Sequence, residues 1–314
     1  MVKMPRRIFT RPLEQELGFG KNVTTTGRMM NPDGTFNVVR QHLSRWDNTY
    51  FHLVTMSWSR FFLLVLLSYL ALNLFFTGLY YAAGMEQLQG LPPGGFWHQV
   101  SMIYFFSTQT LTTVGYGLIS PVGWTANLIA SLESFAGLLA FALISGLLYG
   151  RFSRPTAKIV FSENILVAPY RGGQGLMFRM GNARKSELIE TEVQVILAMN
   201  QADDDGSTVR RFYALKLEFA KVSFFSLSWT VVHGLTEESP LSGFSREDLL
   251  EANAEFLVLV KGTDEANQQM VHTRRSYIAE EIVWNARFQP IISRNTRGLP
   301  HVLIRQIGAF EPLA

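Results

Sequence analysis

The 314-residue chain contains no cysteine, which excludes disulfide bridges and thiolate-held metals from its chemistry. That absence agrees with a reducing cytosolic environment without requiring one. The six histidines, at 42, 52, 98, 233, 272 and 301, are scattered without metal-ligand spacing. No His-Glu-x-x-His, Gly-x-Ser-x-Gly or P-loop pattern occurs, so the usual marks of an enzyme are missing too. Lysine and arginine are absent from Ala82 to Gly123. Residues 155–314 hold 17 Lys/Arg against 19 Asp/Glu. Such a half carries no basic stripe, and no nucleic-acid partner is expected.

What is present is apolar. Hydrophobic residues make up 47% of the chain, and its mean hydropathy is +0.12. This is high for a wholly soluble protein and low for one embedded throughout, so a chain split between lipid and water fits best. The length suggests about two domains. Of the net charge of +3, residues 1–154 contribute +5 (11 Lys/Arg, 6 Asp/Glu) and residues 155–314 contribute −2. The basic excess lies with the apolar half.

Residues 61–83 form a 23-residue run without charge. At 1.5 Å per residue it reaches about 35 Å, enough to cross a bilayer core of roughly 30 Å. A second run, 122–150, carries Glu133 as its one charge. Neither is read as a signal peptide, because the first begins some 60 residues in and is too long. Lys3, Arg6, Arg7, Arg11, Lys21, Arg28, Arg40 and Arg45 precede the first span, and Arg151, Arg154 and Lys158 follow the second. By the positive-inside rule both termini are cytoplasmic and the middle segment faces outward, with the plasma (inner) membrane as the expected location. Arg60, at the inner edge of the first span, can snorkel to the headgroups. Before it, Val39, Leu43, Trp46, Tyr50 and Leu53 recur at helical spacing. This is either an amphipathic helix on the membrane surface or one packed on a soluble domain.

Between the spans, Leu91-Pro92-Pro93-Gly94-Gly95 breaks the helix. The mostly apolar Phe96–Leu111 stretch that follows is too short to span, and suits a re-entrant helix. Then comes Thr113-Val114-Gly115-Tyr116-Gly117. A potassium-selective pore must replace the ion's water shell with oxygens, and converging backbone carbonyls can do so. Pointing all carbonyls one way demands unusual angles at alternate positions, which Gly115 and Gly117 can supply. The expected ligands for K+ are the carbonyls of Thr113, Val114, Gly115 and Tyr116, with the Thr113 hydroxyl innermost. Val114 and Tyr116 turn their side chains away. The short helix aims its carbonyl end at the pore centre, where its dipole favours a cation. One loop supplies one strand of ligands, so the pore requires four copies, a homotetramer. No cofactor is expected beyond the permeant K+ ions.

Motifs along nearly the whole chain, from Leu53 to about Phe288, resemble the inward-rectifier potassium channels, and most closely their prokaryotic (KirBac) branch. They include Ser57-Trp58, the Thr113–Gly117 loop, Leu132-Glu133 with Gly137, and Tyr149 through Arg151-Phe152 and Arg154-Pro155. Others are Phe178-Arg179 with Gly181-Asn182 and Arg184, Ser228-Trp229 with His233, Glu238-Ser239-Pro240-Leu241, and Arg275-Ser276-Tyr277 before Trp284. The resemblance implies a membrane α-helical two-span pore domain with a re-entrant pore helix, plus a cytoplasmic all-β immunoglobulin-like sandwich. The residues themselves also read as β there. Glu192–Val195 and Tyr213–Phe219 alternate, Asp203–Ser207 reads as the turn between them, and Phe256–Val260 is a buried strand. Ser245 with Asp248 reads as a capping box. The expected organisation is a cytoplasmic N-terminal segment (1–37), a surface helix (38–57), the pore domain (58–154) and the sandwich (155–314).

The resemblance also implies roles. Tyr149 matches the gate, with an interfacial belt tyrosine as the alternative; Gly137 matches a hinge glycine, with close helix packing as the alternative. Arg151, Arg154 and Lys158 match a lipid-binding basic linker, although plain topology accounts for them equally. Anionic membrane lipids are the expected partners, each nearby cation adding about 1 kcal/mol. Glu133 is read as a hydrogen-bonding support behind the filter, and Gln109 stands where many relatives carry Glu. Phe141 stands where strong rectifiers place an acid, so weak rectification is expected. Glu190 either lines the cytoplasmic pore or is an exposed strand glutamate. The function expected is therefore a gated potassium channel. The rivals are a membrane-anchored ligand sensor and a poorly selective cation channel.

Overall fold

A computed structural model describes residues 12–13, 27–38, 49–153, 158–184, 186–203, 206–294, 298 and 300–313. The chain divides into two compact units, Gln41–Arg154 and the combination of Met1–Arg40 with Pro155–Ala314.

The first unit runs α1 (Thr49–Thr55), α2 (Trp58–Ala83), β1 (Leu88–Gln89), α3 (Phe96–Leu111), β2 (Ser120–Pro121) and α4 (Trp124–Phe152). With 26 and 29 residues, α2 and α4 are long and apolar enough to cross a membrane. The 16-residue α3 reaches only about 24 Å and is too short. Many large apolar side chains of α2 and α4 face outward from the single chain, among them Leu66, Leu74, Phe75, Leu132, Phe135 and Leu143. Such faces suit lipid or further copies of the chain. The surfaces between the helices are packed: Phe76, Tyr80, Leu88, Ile103, Phe106 and Ala126 form one buried cluster. Of the surface helix expected over 38–57, residues 39–48 lie outside the described residues. The described part is α1, which buries Val54, leaves Tyr50 and Phe51 exposed, and packs on α4.

In the second unit, the strands are β3 (Ile159–Phe161), β4 (Ile165–Tyr170), β5 (Gly173–Asn182), β6 (Leu188–Ala202), β7 (Thr208–Ala214), β8 (Lys221–Phe225) and β9 (Ser228–Gly234). After α5 (Arg246–Glu251) come β10 (Glu255–Asp264), β11 (Gln269–Ile278), β12 (Ile282–Trp284), β13 (Ala286–Phe288), β14 (Ile292–Arg294), β15 (Pro300–Val302) and β16 (Phe310–Pro312). One five-stranded sheet has the order β11-β10-β6-β7, with β8 also on β6; the other has β12-β4-β5-β3, with β9 on β5. A single core joins their inner faces, with Ile165, Phe178 and Val231 from one sheet meeting Val195, Leu197, Phe256 and Tyr277 from the other. The sandwich follows from strands that bury alternate residues on a shared interior. Ser245 caps α5 with both halves of the box: its Oγ accepts from Asp248 N at 3.2 Å and its N donates to the Asp248 carboxylate at 2.8 Å.

One expected strand is cut short. The alternation of Tyr213–Phe219 predicts a single strand, but β7 ends at Ala214. Leu215 N still bonds Val195 O of β6 at 2.9 Å, whereas Glu218 N bonds Val232 O of β9 at 2.9 Å. The segment crosses from one sheet to the other, and the alternation holds only through Leu215 and Lys216, since Phe219 is exposed.

The N-terminal residues 27–38 belong to this second unit. Met29 N and Met30 N donate to the Glu255 carboxylate at 2.8 and 3.0 Å. Ser276 Oγ (2.6 Å) and Arg210 (3.3 Å) complete the set. The Glu255 and Arg210 side chains are 1% and 2% exposed. Arg28 pairs with both oxygens of Glu281 at 2.9 and 3.0 Å. Charges as deeply buried as Glu255 and Arg210 require such pairing.

Candidate functional site

The loop after α3 is held by its amides. Thr112 N donates to Thr108 O (3.2 Å), Thr113 N to Thr110 O (3.1 Å), and Val114 N and Gly115 N both to Gln109 O (2.9 and 3.3 Å). The orphan carbonyls at the end of α3 are satisfied in this way. A trans peptide holds its C=O antiparallel to its N–H. Because the amides of residues 113, 114 and 115 turn back into α3, the carbonyls of Thr112, Thr113 and Val114 point away from it together. An ordinary strand would alternate them. The geometry comes from left-handed residues at every second position, with φ of +62° at Thr113, +52° at Gly115 and +80° at Gly117. Glycine adopts this freely. A β-branched threonine there costs about 1–3 kcal/mol, which the surrounding hydrogen bonds must offset.

Behind the loop lies a buried polar set spanning three helices. Glu133 of α4 accepts from Tyr80 Oη of α2 at 2.7 Å and from Ser107 Oγ of α3. Asn73 of α2 lies 3.3 Å from the same Ser107 hydroxyl. Asn73, Ser107 and Glu133 are all fully buried. Gln109 contributes through its backbone carbonyl, as above. Gly137 faces the last residue of α3, and a Cβ built on it would fall 1.9 Å from Leu111 O. No side chain fits there, so α4 and α3 touch backbone to backbone.

The outer end of the loop is strapped down. β1 pairs with β2, and Gln87 O accepts from Val122 N at 2.9 Å. The Gln87 side chain accepts from Ala126 N at 3.1 Å and donates to Ala83 O at 2.8 Å. Gly90, at φ +83°, passes so close to Leu118 O that a Cβ would lie 1.9 Å from it. Sequence reading missed Asn73, Tyr80, Ser107, Gln87 and Gly90. The buried polar residues within apolar runs were the available signal for the first three. Nothing local marks Gln87, and Gly90 shows only as one glycine of a turn.

Below the loop, a cavity of about 590 Å³ is lined by Leu111, Thr112, Thr113, Gly137 and Phe141, together with Tyr69 and Leu72 of α2. Phe141 and Tyr149 are 72% and 76% exposed on the chain. Arg151 differs from the headgroup-facing residue read from the sequence. It is 8% exposed, its terminal nitrogens donate to Leu53 O and Met56 O at 2.6 Å each, and its guanidinium lies 4.5 Å from the Trp58 ring and 4.6 Å from the Phe61 ring. The carbonyls ending α1 and the two rings occupy it. Arg154 lies outside the described residues. Lys158 is exposed, in the second unit. Glu190 sits in that unit at a bulge of β6, skipped between the pairs Ile189↔Phe224 and Thr191↔Val222. Its φ is +52°, and its exposed carboxylate lies 3.1 Å from Lys221 Nζ.

Comparison with known proteins covers both units. A family described as "Inward rectifier potassium channel C-terminal domain" matches residues 159–309, and one described as "Ion channel" matches 61–153. The inward rectifier potassium channel Kirbac3.1 of Paramagnetospirillum magnetotacticum is 37% identical over 290 residues, 91% of this chain and 96% of that protein. Inward rectifier potassium channel 18 of Homo sapiens is 31% identical over 62% of this chain and 47% of its own length. ATP-sensitive inward rectifier potassium channel 12 of Mus musculus is 31% identical, over 62% and 48%. The chain thus spans nearly all of the first relative and about half of the other two.

Proposed function

The chain belongs to the inward-rectifier potassium channel family, and from that premise we propose how its residues conduct and gate. Four copies surround one axis in the plasma membrane, with both termini cytoplasmic. Carbonyls of Thr113, Val114, Gly115 and Tyr116, with the Thr113 hydroxyl, replace the hydration shell of K+ as it passes. The observation that carries this reading is the common direction of the Thr113 and Val114 carbonyls, imposed by the amides of residues 114 and 115 bonded back into α3; the left-handed φ at Gly115 and Gly117 supports continuing it through Gly115 and Tyr116. The carbonyl end of α3 adds a favourable dipole for a cation.

The pore domain of 58–154 is preceded by a surface helix at 38–57, and the segment 1–37 works with the sandwich of 155–314. Tyr149 forms the gate, since four aromatic rings at the inner end can narrow and dewet the path. Gly137 serves as a packing contact, supported by its closeness to Leu111, in preference to a hinge. Phe141 leaves the cavity without a carboxylate, so internal Mg2+ or polyamines block weakly and rectification is weak. Glu190 lines the cytoplasmic path, where its pairing with Lys221 limits the negative charge it adds. Anionic lipids modulate gating through Lys158, Arg154 and the exposed Arg60, each contributing about 1 kcal/mol of attraction.

Rubidium uptake into liposomes loaded with potassium tests the reading. Wild-type protein should take up tracer and be blocked by barium. Gly115→Ala, which places a side chain at φ +52°, should abolish uptake while its β-sheet circular dichroism is unchanged. Uptake by Gly115→Ala at the wild-type rate would overturn the assignment of the filter.

A further inference from the structure

The function above leaves Arg151 unexplained, because a lipid headgroup has little access to it. Its surroundings define another task. Helix α1 has seven residues, and its terminal carbonyls lack partners within the helix. Arg151 reaches from the last turn of α4 and donates to Leu53 O and Met56 O, at 2.6 Å each. Charge-assisted bonds of this length are among the strong ones. The guanidinium carbon lies 4.5 Å from the Trp58 ring and 4.6 Å from the Phe61 ring at the start of α2, the two rings standing at 86° to one another. One side chain therefore ties α1, the α1–α2 turn and α4 together.

The neighbouring residue makes the same junction close. A Cβ on Gly150 would lie 2.9 Å from Tyr50 Oη and 3.9 Å from a methyl of Val54. Gly150 thus faces α1, and a larger residue there would have to displace the exposed Tyr50 side chain. Tyr149 is two residues before Arg151, and on a helix that separation turns it about 200° away, to the opposite face. Tyr149 is accordingly 76% exposed and Arg151 is 8% exposed. The last turn of α4 carries the gate on one side and the tie to α1 on the other.

We propose that Arg151 is a positioning residue for conduction: it latches the membrane-surface helix α1 to the inner end of α4, so that α1 holds the Tyr149 face back from the pore axis. The proposal rests on the channel reading above. When the latch is lost, the four apolar helix ends close on one another and flux falls. Arginine is required at this site, because lysine keeps the charge but lacks the planar fork that reaches two carbonyls at once.

The test compares wild-type protein with Arg151→Lys in liposomes of neutral and of anionic lipid. Barium-sensitive rubidium uptake and backbone hydrogen exchange over residues 49–57 are both measured. Couplings between linked elements commonly run from roughly 5-fold to 150-fold. Arg151→Lys should accordingly lose at least about fivefold in uptake in both lipids, and exchange over 49–57 should quicken by a similar factor. A headgroup role gives a different result: wild-type exchange, with uptake reduced in one lipid only, and this overturns the latch. Quickened exchange with wild-type uptake overturns it as well. If Arg151→Lys does not assemble as a tetramer, Trp58→Leu removes one ring face and leaves the charge. It should shift both readouts in the same direction, and wild-type values for it refute the latch. Wild-type protein without barium-sensitive uptake would instead refute the channel reading, while the exchange arm still tests the latch.

Discussion

Replacing Gly137 with alanine separates two roles that a glycine in the inner helix can have. The new Cβ would lie 1.9 Å from Leu111 O and 2.9 Å from its carbonyl carbon. Real contacts of this kind stay beyond 3.0 Å, so α3 and α4 must part by about 1 Å. Alanine gains about 1 kcal/mol of helix propensity over glycine. Overpacking a fitted interior costs about 1–3 kcal/mol, so packing outweighs propensity and the net loss is on the order of 1 kcal/mol. The function should suffer more than the stability. Leu111 is followed directly by Thr112 and Thr113, and the amides of residues 112–115 hang on the carbonyls of 108–110. Moving the end of α3 moves the filter carbonyls with it. Gly137→Ala should therefore reduce the preference for potassium over sodium in liposome uptake, along with the thermal midpoint. A hinge alone would change the rate and leave the preference intact. Gly78→Ala on α2, whose Cβ would meet nothing within 4 Å, is the control: it should keep wild-type preference and match or exceed wild-type stability. Wild-type preference and stability in Gly137→Ala would refute the packing argument.

Three further outcomes are expected. Glu133→Leu strips the acceptor from the buried Tyr80 hydroxyl, at about 1–3 kcal/mol for that unpaired group, and leaves the Ser107 hydroxyl only the longer contacts to Asn73. The thermal midpoint of the detergent-solubilised protein should fall, and fall less for Glu133→Gln; equal midpoints would contradict the role given to this set. Glu255→Ala leaves Arg210 buried without its carboxylate and frees the amides of Met29 and Met30. Breaking a buried pair costs about 3–5 kcal/mol, so urea unfolding of the β unit should shift accordingly and residues 27–38 should become open to protease. Burial holds the pKa of His233 below its ordinary value, with Nδ1 bonded to Lys216 O at 2.7 Å and Nε2 to Ser239 Oγ at 2.8 Å. Below about pH 6.5 the unfolded chain takes up a proton that the native site resists, so stability is full above that value and declines as pH falls. His233→Asn should flatten this decline between about pH 7 and 5; parallel profiles for the two proteins would refute it.

Features written locally in the chain were legible in the sequence. The Phe96–Leu111 helix falls between the Pro-Gly break and the filter loop as expected, and the Ser245–Asp248 box starts α5. Run length alone located both spans. Long-range features were not legible. Tyr80 and Ser107 stand 53 and 26 residues before Glu133, and no periodicity ties them together. The left-handed Thr113 was hidden because threonine is a residue from which φ +62° is not expected. Charge beside a span suggested lipid for Arg151, but two unpaired carbonyls and two rings compete for a guanidinium more closely than any headgroup. The crossing at 215–218 has the apolar–polar sequence alternation of a strand while changing sheets, so pattern alone could not reveal it.

Selectivity is the central claim, and the reversal potential measures it most directly. Purified protein in a planar bilayer should show a current whose reversal potential moves by about 59 mV for each tenfold change in the potassium gradient. Replacing potassium on one side by sodium should drive it far toward the potassium limit. A reversal potential that stays near zero under that exchange would contradict the account.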